Sequence, residues 1–439
     1  MYRSKDRKTL FLFSELFPFG GRLKDDNRWF RIARLVPWEE LEGEYARYFS
    51  AVGRPATDAR LIIGLLLLKH MTGLSDEGVV QEVLENPYMQ AFCGFEHFVA
   101  EEILDSSTLA KQRGRLGVEF FRKLEEKTYK VLIERKIIKA KGMLMDATVF
   151  PEGIKYPNDV GLLNDVREWL VEHIKRFGKS VGKRYRTYCR VARRDYLGFS
   201  KKRNKTKKAI NRAKRQMLQY VRRNIRQLQE IIEIVEITGC EVARSILNRS
   251  GVAQQIYRQQ LEMYKGRVNR IAGRIVSFHR PYVRPIKRGK LGRDVEFGAK
   301  GGLVHVDGFL FLDHFKHEAF AEDKVAGDHL RAYQGRFGKL PPYVAADRKY
   351  GTRDNRELLK GLGVRGSFRP LGRKARGDQK HERWFKDRQK ERNRIEGSFG
   401  NGKQHYGLDR VRYSIENGSE IWVRGGILAM NLKAALKRA

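Results

Sequence analysis

The chain has 439 residues, too many for one typical core, and its 41% hydrophobic content lets each of two or three domains bury its own. A formal charge of +38 and a pI near 10.2 favour a polyanionic partner, nucleic acid first, without specifying any chemistry. Cys93, Cys189 and Cys240 lie far apart with no CxxC pair, which argues against a disulfide framework or zinc finger and fits a reducing cytoplasm. The longest apolar run, Leu61 to Leu68, is too short to cross a bilayer, and the start MYRSKDRK lacks the apolar core of a signal peptide, so no membrane association or export is expected.

Residues from about 56 to 135 read as helical. Thr57 can cap a first helix, Gly73 breaks it, and Ser75 with Glu77 and Gly78 opens a second. The helix, turn, helix pattern suits a DNA-reading motif or an ordinary helical hairpin in a small bundle. GMLMDATVF then reads as a strand holding one carboxylate, Asp146.

From about 160 to 278 apolar residues again step by three or four. Leu163, Val166, Leu170, Ile174 and Phe177 form one stripe, Met217 to Val235 a second, and Tyr257 to Ile275 a third. These long amphipathic helices suit an antiparallel bundle or a dimer surface. Between the first two, KKRNKTKK (Lys201 to Lys208) is a solvated basic loop or a phosphate-contacting tip.

Strand character returns at Phe297, with Asp307-Gly308 predicting a tight hairpin turn inside GGLVHVDGFLFLDHF. A helix is predicted over Ala319 to Phe337, then a strand, Asp347, a helix and a strand, then a helix over Glu382 to Phe399. IWVRGGILAMNLKAAL closes the chain as a buried helix. The domains expected are a helical N-terminal domain (1–135), a mixed α/β domain (140–159 plus 279–439) and a helical insertion (160–278).

One strand is expected to end near Asp146 and another at Asp347, and Glu396 sits on a later helix, beyond one helix and one strand, so all three acids can converge at the carboxyl edge of an α/β sheet. Clustered carboxylates would repel a polyanion unless a divalent metal neutralised them, as Mg²⁺ does in phosphodiester displacement. Taken singly each acid has an ordinary explanation, since Arg348 neighbours Asp347 and Arg392 lies one helical turn before Glu396. His314 and His317 have no companion cysteine or third histidine nearby, and Asp159 most simply caps the helix that follows it. The glycines of GSFGNGK do not follow a strand, which excludes a P-loop.

DATVFPEGIKYPNDVGLL around Asp146, AADRKYGTRDN around Asp347 and RNRIEGSFGNGKQHYGLDRVRY around Glu396 resemble the three catalytic blocks of bacterial insertion-sequence DDE transposases, within the insertion-sequence four/five superfamily. Arg392, Glu396 and Lys403 match the spacing of that group's third signature, while Gln389 stands where the signature has tyrosine. The resemblance implies an α/β, ribonuclease-H-like catalytic core with a long helical insertion, preceded by an all-α N-terminal DNA-binding domain. It also implies Asp146, Asp347 and Glu396 as catalytic metal ligands for two Mg²⁺ ions, with Mn²⁺ able to substitute. Arg392, Lys403, Gln389 and Arg348 become DNA-contacting residues. Terminal inverted repeats and target DNA are the implied partners of a homodimer in a prokaryotic cytoplasm, associated with the nucleoid. A metal-dependent nuclease and a non-catalytic nucleic-acid-binding relative are the alternatives.

Overall fold

The computed structural model describes residues 1–2, 19, 23–239, 241–290, 293–369, 371, 379–415 and 417–439. Among the described residues six α-helices precede the first strand: α1 (Arg28–Ala33), α2 (Trp38–Ala46), α3 (Ala59–Thr72), α4 (Asp76–Glu85), α5 (Pro87–Phe92) and α6 (Ser106–Glu134), the last interrupted at Gly117. Asp58, one residue beyond the expected Thr57, caps α3 by accepting from the Leu61 amide. Gly73 ends α3 at φ 76°, in the left-handed region, and Ser75 caps α4. The expected helical hairpin forms. Its second helix contains no lysine or arginine and exposes Glu77, Glu82 and Glu85. Strand β1 (Met143–Pro151) follows.

The chain divides into two compact units, Ile154–Gly298 and the remainder. In the first of these, α7 (Asp159–Ser180), α8 (Cys189–Ser200), α9 (Lys207–Ile237) and α10 (Arg244–Lys265) are followed by β2 (Arg284–Lys290), which pairs antiparallel with the start of β3 (Arg293–Val306). Leu163, Val166, Leu170 and Ile174 of α7 share a core with Met217, Val221 and Leu228 of α9 and Ile256 of α10. The third predicted stripe is shorter in fact. Gly266 closes α10 and Arg267 follows at φ 53°, so Val268 leaves the helix and is 48% exposed. Asp159 is not the cap of α7, because Asn158 accepts from the Gly161 amide in that role. The Asp159 carboxylate instead binds Lys214 at 2.9 Å and Arg274 at 2.6 Å.

In the other unit, β1 lies between β3 and β5 (Tyr343–Ala346), while β4 (Phe309–Lys316) pairs with the second half of β3. The β3–β4 turn has Asp307 at φ 50° and Gly308 at φ 92°, the two left-handed positions the sequence predicts. A single 3-10 turn, Glu322–Val325, precedes α11 (Ala326–Phe337), so that helix starts later than expected. After β5 come α12 (Arg353–Gly361), β6 (Arg365–Ser367), α13 (Gln379–His405) and α14 (Gly418–Leu436). The β1–β5 and β5–β6 pairs are parallel.

Both α3 and α14 are apolar nearly all round, which demands partners on every side. They pack against each other, and α14 also packs on α6 and β4. Asn431 of α14, which this buries, is matched: it accepts from the Leu310 amide and donates to the Leu310 carbonyl and Tyr129 hydroxyl. The N-terminal helices and the last helix therefore close one shared core. Among the described residues no helix is long and apolar enough to cross a membrane.

Candidate active site

The last matched pair of β1 and β5 is Met145 with Ala346, and the residue after each is an aspartate, Asp146 and Asp347. Neighbouring strands lie about 4.8 Å apart, so the two acids stand side by side. Asp347 follows the end of β5 as expected, but Asp146 does not end its strand: β1 runs on to Pro151. Asp347 opens a 3-10 turn that carries Arg348 and Lys349 into solvent and buries Tyr350. Asp146 Oδ1 accepts from the Ala147 amide at 2.8 Å.

Helix α13 packs across β1, β5 and β6. Arg388 Nη1 donates to the Tyr343 hydroxyl and to Glu391, both at 2.6 Å, and its guanidinium lies over the Tyr343 ring. Gln389 donates to the Ser367 carbonyl at 2.8 Å, so its amide nitrogen anchors α13 to the end of β6. With the helix held there, Arg392 Nη1 stands 3.6 Å from Asp146 and 3.1 Å from Glu396. Arg392 Nε is buried and has no hydrogen-bond partner.

The helix runs on through Gly400 and Gly402 to His405, past the expected end at Phe399. Lys403 is thus a helical residue two turns beyond Glu396 on the same face, not a turn residue. At Gly402 the helix passes close to Leu408: a Cβ at this position would stand 2.7 Å from Leu408 Cδ1, so that side chain would have to shift.

Burial pushes the Asp146 carboxyl up to about 6; the Ala147 amide and Arg392 oppose the rise, and Glu322 and Asp347 add to it. Burial likewise drives the Tyr350 phenol far up, reinforced by Glu322, Asp146, Asp347 and Asp323. A fourth acid, Glu322, thus lies within electrostatic reach of Asp146 and Tyr350. Its carboxylate holds Lys300 at 2.9 Å and Lys349 at 3.3 Å. The sequence carries no signal for Glu322, which lies in a connection between β4 and α11 outside the recognised blocks. Tyr350 was inside one, in AADRKYGTRDN, but its burial was not readable.

Among the described residues no three His, Cys, Asp or Glu side chains are grouped to hold a metal ion. Glu396 is 57% exposed and paired with Arg392. Asp146 and Asp347 nevertheless suit a divalent cation: a half-buried carboxyl raised by burial, with two acidic neighbours adding to the rise, is a site where positive charge is favoured. The histidines serve elsewhere. His317 Nε2 lies 3.1 Å from Glu152, which also accepts from Ser419, and His314 faces Asp328 at 3.8 Å.

Residues 17–115 match the family described as Transposase domain (DUF772), and residues 344–433 match the Transposase DDE domain. The second match contains Asp347, Arg392, Glu396 and Lys403; Asp146 lies outside both. The uncharacterized protein ORF8 in the nfe locus of Rhizobium meliloti is 35% identical over 167 residues, covering 37% of this chain and 79% of that protein. No solved structure matches. Two transposase domains flanking the strand that bears Asp146, together with this relative, settle the family: the chain belongs to the insertion-sequence DDE transposases.

Proposed function

We propose that the protein cuts the phosphodiester bond at each end of its own insertion sequence and joins the freed 3′ hydroxyls to target DNA. The observation that carries this reading is the placement of Asp146 and Asp347 immediately after paired residues of adjacent parallel strands, with Arg392 and Glu396 brought alongside by α13. The strand order β4–β3–β1–β5–β6 supports a ribonuclease-H-like core over residues 140–159 and 279–439. Residues 1–135 then form the all-α domain that recognises terminal inverted repeats, and 160–278 the helical insertion. Two copies pair the two ends, in the cytoplasm of a prokaryote and at its nucleoid.

Asp146 and Asp347 would hold Mg²⁺, or Mn²⁺ in its place, and Glu396 completes the set once Arg392 exchanges its ion pair for a DNA phosphate. Such ions supply an activated oxygen and charge neutralisation at the phosphodiester. Arg392 offers a planar fork to a phosphate through its terminal nitrogens. Lys403 adds a point charge along the same helix face, and the exposed Arg348 offers another contact. Gln389 acts by fixing α13, the donor of Glu396, to the sheet.

The test is incubation with Mg²⁺, a labelled duplex carrying the element's end, and a plasmid, for wild type beside Asp347→Asn. Joining of label to plasmid by wild type alone is expected. Cleavage without joining would make the protein a nuclease, and binding without either product would make it a non-catalytic relative.

A further inference from the structure

The charge of this protein is very unevenly placed. Residues 1–135 contain twenty-one lysines and arginines and twenty-one acids, whereas residues 154–298 contain thirty-six against twelve. From Lys183 to Arg226 there are eighteen against one, Asp195. The segment read as recognising DNA is thus electrically neutral, and most of the +38 sits in the helical unit.

On α9 this charge is ordered. Lys208, Arg212, Arg215, Arg222 and Arg226 recur at helical spacing on one face, with Gln219 completing the row, and all six are exposed. The opposite face, Ala213, Met217, Val221, Leu228 and their neighbours, is buried in the core of the unit. Among the described residues none of the five cations has an ion pair, while Lys214, on the buried side, is matched by Asp159. The acids of α9 begin only at Glu230, where the row ends.

We propose that this row is a binding surface for the backbone of duplex DNA, holding phosphates without reading bases. The proposal rests on the reading of the protein as a DNA-acting enzyme. The row is about 27 Å long at 1.5 Å per residue. Duplex DNA presents one charge per ~1.7 Å of axis, so a straight rod of cations this long meets several phosphates. Nothing in the row is aromatic, so it has no platform on which unpaired bases would stack, which favours duplex over single strands.

The test compares full-length wild type, the fourfold variant Arg212→Gln, Arg215→Gln, Arg222→Gln, Arg226→Gln, and a control that removes as many exposed cations elsewhere in the unit (Arg244→Gln, Arg258→Gln, Lys265→Gln, Arg270→Gln). Binding to a labelled duplex of arbitrary sequence is measured against salt, with thermal melting to verify folding. The row variant is expected to flatten the slope of log affinity against log salt by about 3.6, four contacts at ~0.9 each, and the control to change it by less than about 1. Equal slopes in the two variants would overturn the proposal in favour of diffuse attraction. So would single-stranded RNA competing as well as duplex DNA. Failure of the enzyme reading is separable: wild type that neither cuts nor joins, yet loses its salt slope only in the row variant, leaves the surface standing without the transposase chemistry.

Discussion

Arg392 Nη1 stands 3.6 Å from Asp146 Oδ2, so a cation of α13 is the counter-charge to the half-buried acid of β1. The same guanidinium holds Glu396 at 3.1 Å. An opposite charge at this range lowers a carboxyl, and its removal raises one. In the metal-free protein the Asp146 carboxyl is expected to titrate near 6. Arg392→Gln moves that titration upward by about one unit, while Arg392→Lys leaves it nearly in place. Carboxyl carbon shifts followed by NMR against pH check this, and an unmoved titration in Arg392→Gln would remove Arg392 from the site.

Glu322 acts on Asp146 with the opposite sign. Glu322→Gln should lower the Asp146 titration. It also strips Lys300, whose side chain is only 13% exposed, of its anion, though the Phe320 carbonyl still accepts from it. A stability loss of about 3 kcal/mol, read by urea unfolding, is expected for breaking such a pair.

The hairpin of α3 and α4 is tied to the end of the chain through charge. Asp76 pairs with Arg113 and Lys69, both at 2.8 Å, and the Arg113 guanidinium lies 3.7 Å from the centre of the Tyr413 ring. Asp76→Ala leaves two nearly buried cations without an anion and should cost about 3–5 kcal/mol. Asp76→Ala, Arg113→Leu should recover part of that loss. Chemical unfolding of the two variants decides, and a neutral single variant would contradict the buried pairing.

His70 is enclosed by Tyr413, Trp422 and the Cβ-free face of Gly425. Burial, assisted by Lys69 and Arg113, depresses its folded pKa to about 3, against an unfolded value near 6.5. The unfolded chain then takes up a proton that the folded one refuses, so this contribution is complete above pH 6.5 and declines as the pH falls toward 3. Asp146, raised to about 6, takes up a proton in the folded state over part of the same range and works in the opposite direction. The informative quantity is therefore the difference from His70→Leu. Between pH 6.5 and 5, wild type should lose roughly 1–2 kcal/mol relative to that variant. Parallel stability curves would show that His70 is protonated in the fold.

Local chemistry was legible where a few adjacent residues decide it. Asp307-Gly308 reads as a hairpin turn and forms one, since the two left-handed positions need only those side chains. The apolar stripes of α7 and α9 were equally plain. Boundaries that depend on later packing were not. The helix expected to end at Phe399 runs on to His405, and Leu408 lies against Gly402, a contact made with a residue beyond the helix. Within the site, Arg392 and Glu396 were readable as one helix face. Their partner across the sheet depended on the β1–β5 register, and Glu322 on a connection that no motif marks.

By itself, the sequence determined the class of partner, the helical and strand segments, and a set of acids and cations whose types suit phosphodiester chemistry, because composition and short-range periodicity are properties of neighbouring residues. Only the tertiary structure decided that Asp146 and Asp347 come side by side next to paired residues of adjacent strands, and that Arg392 stands between two of the expected ligands. It likewise decided that α3 and α14 bury one another. These follow from pairing register and burial, which bring together groups hundreds of positions apart and which no local pattern encodes.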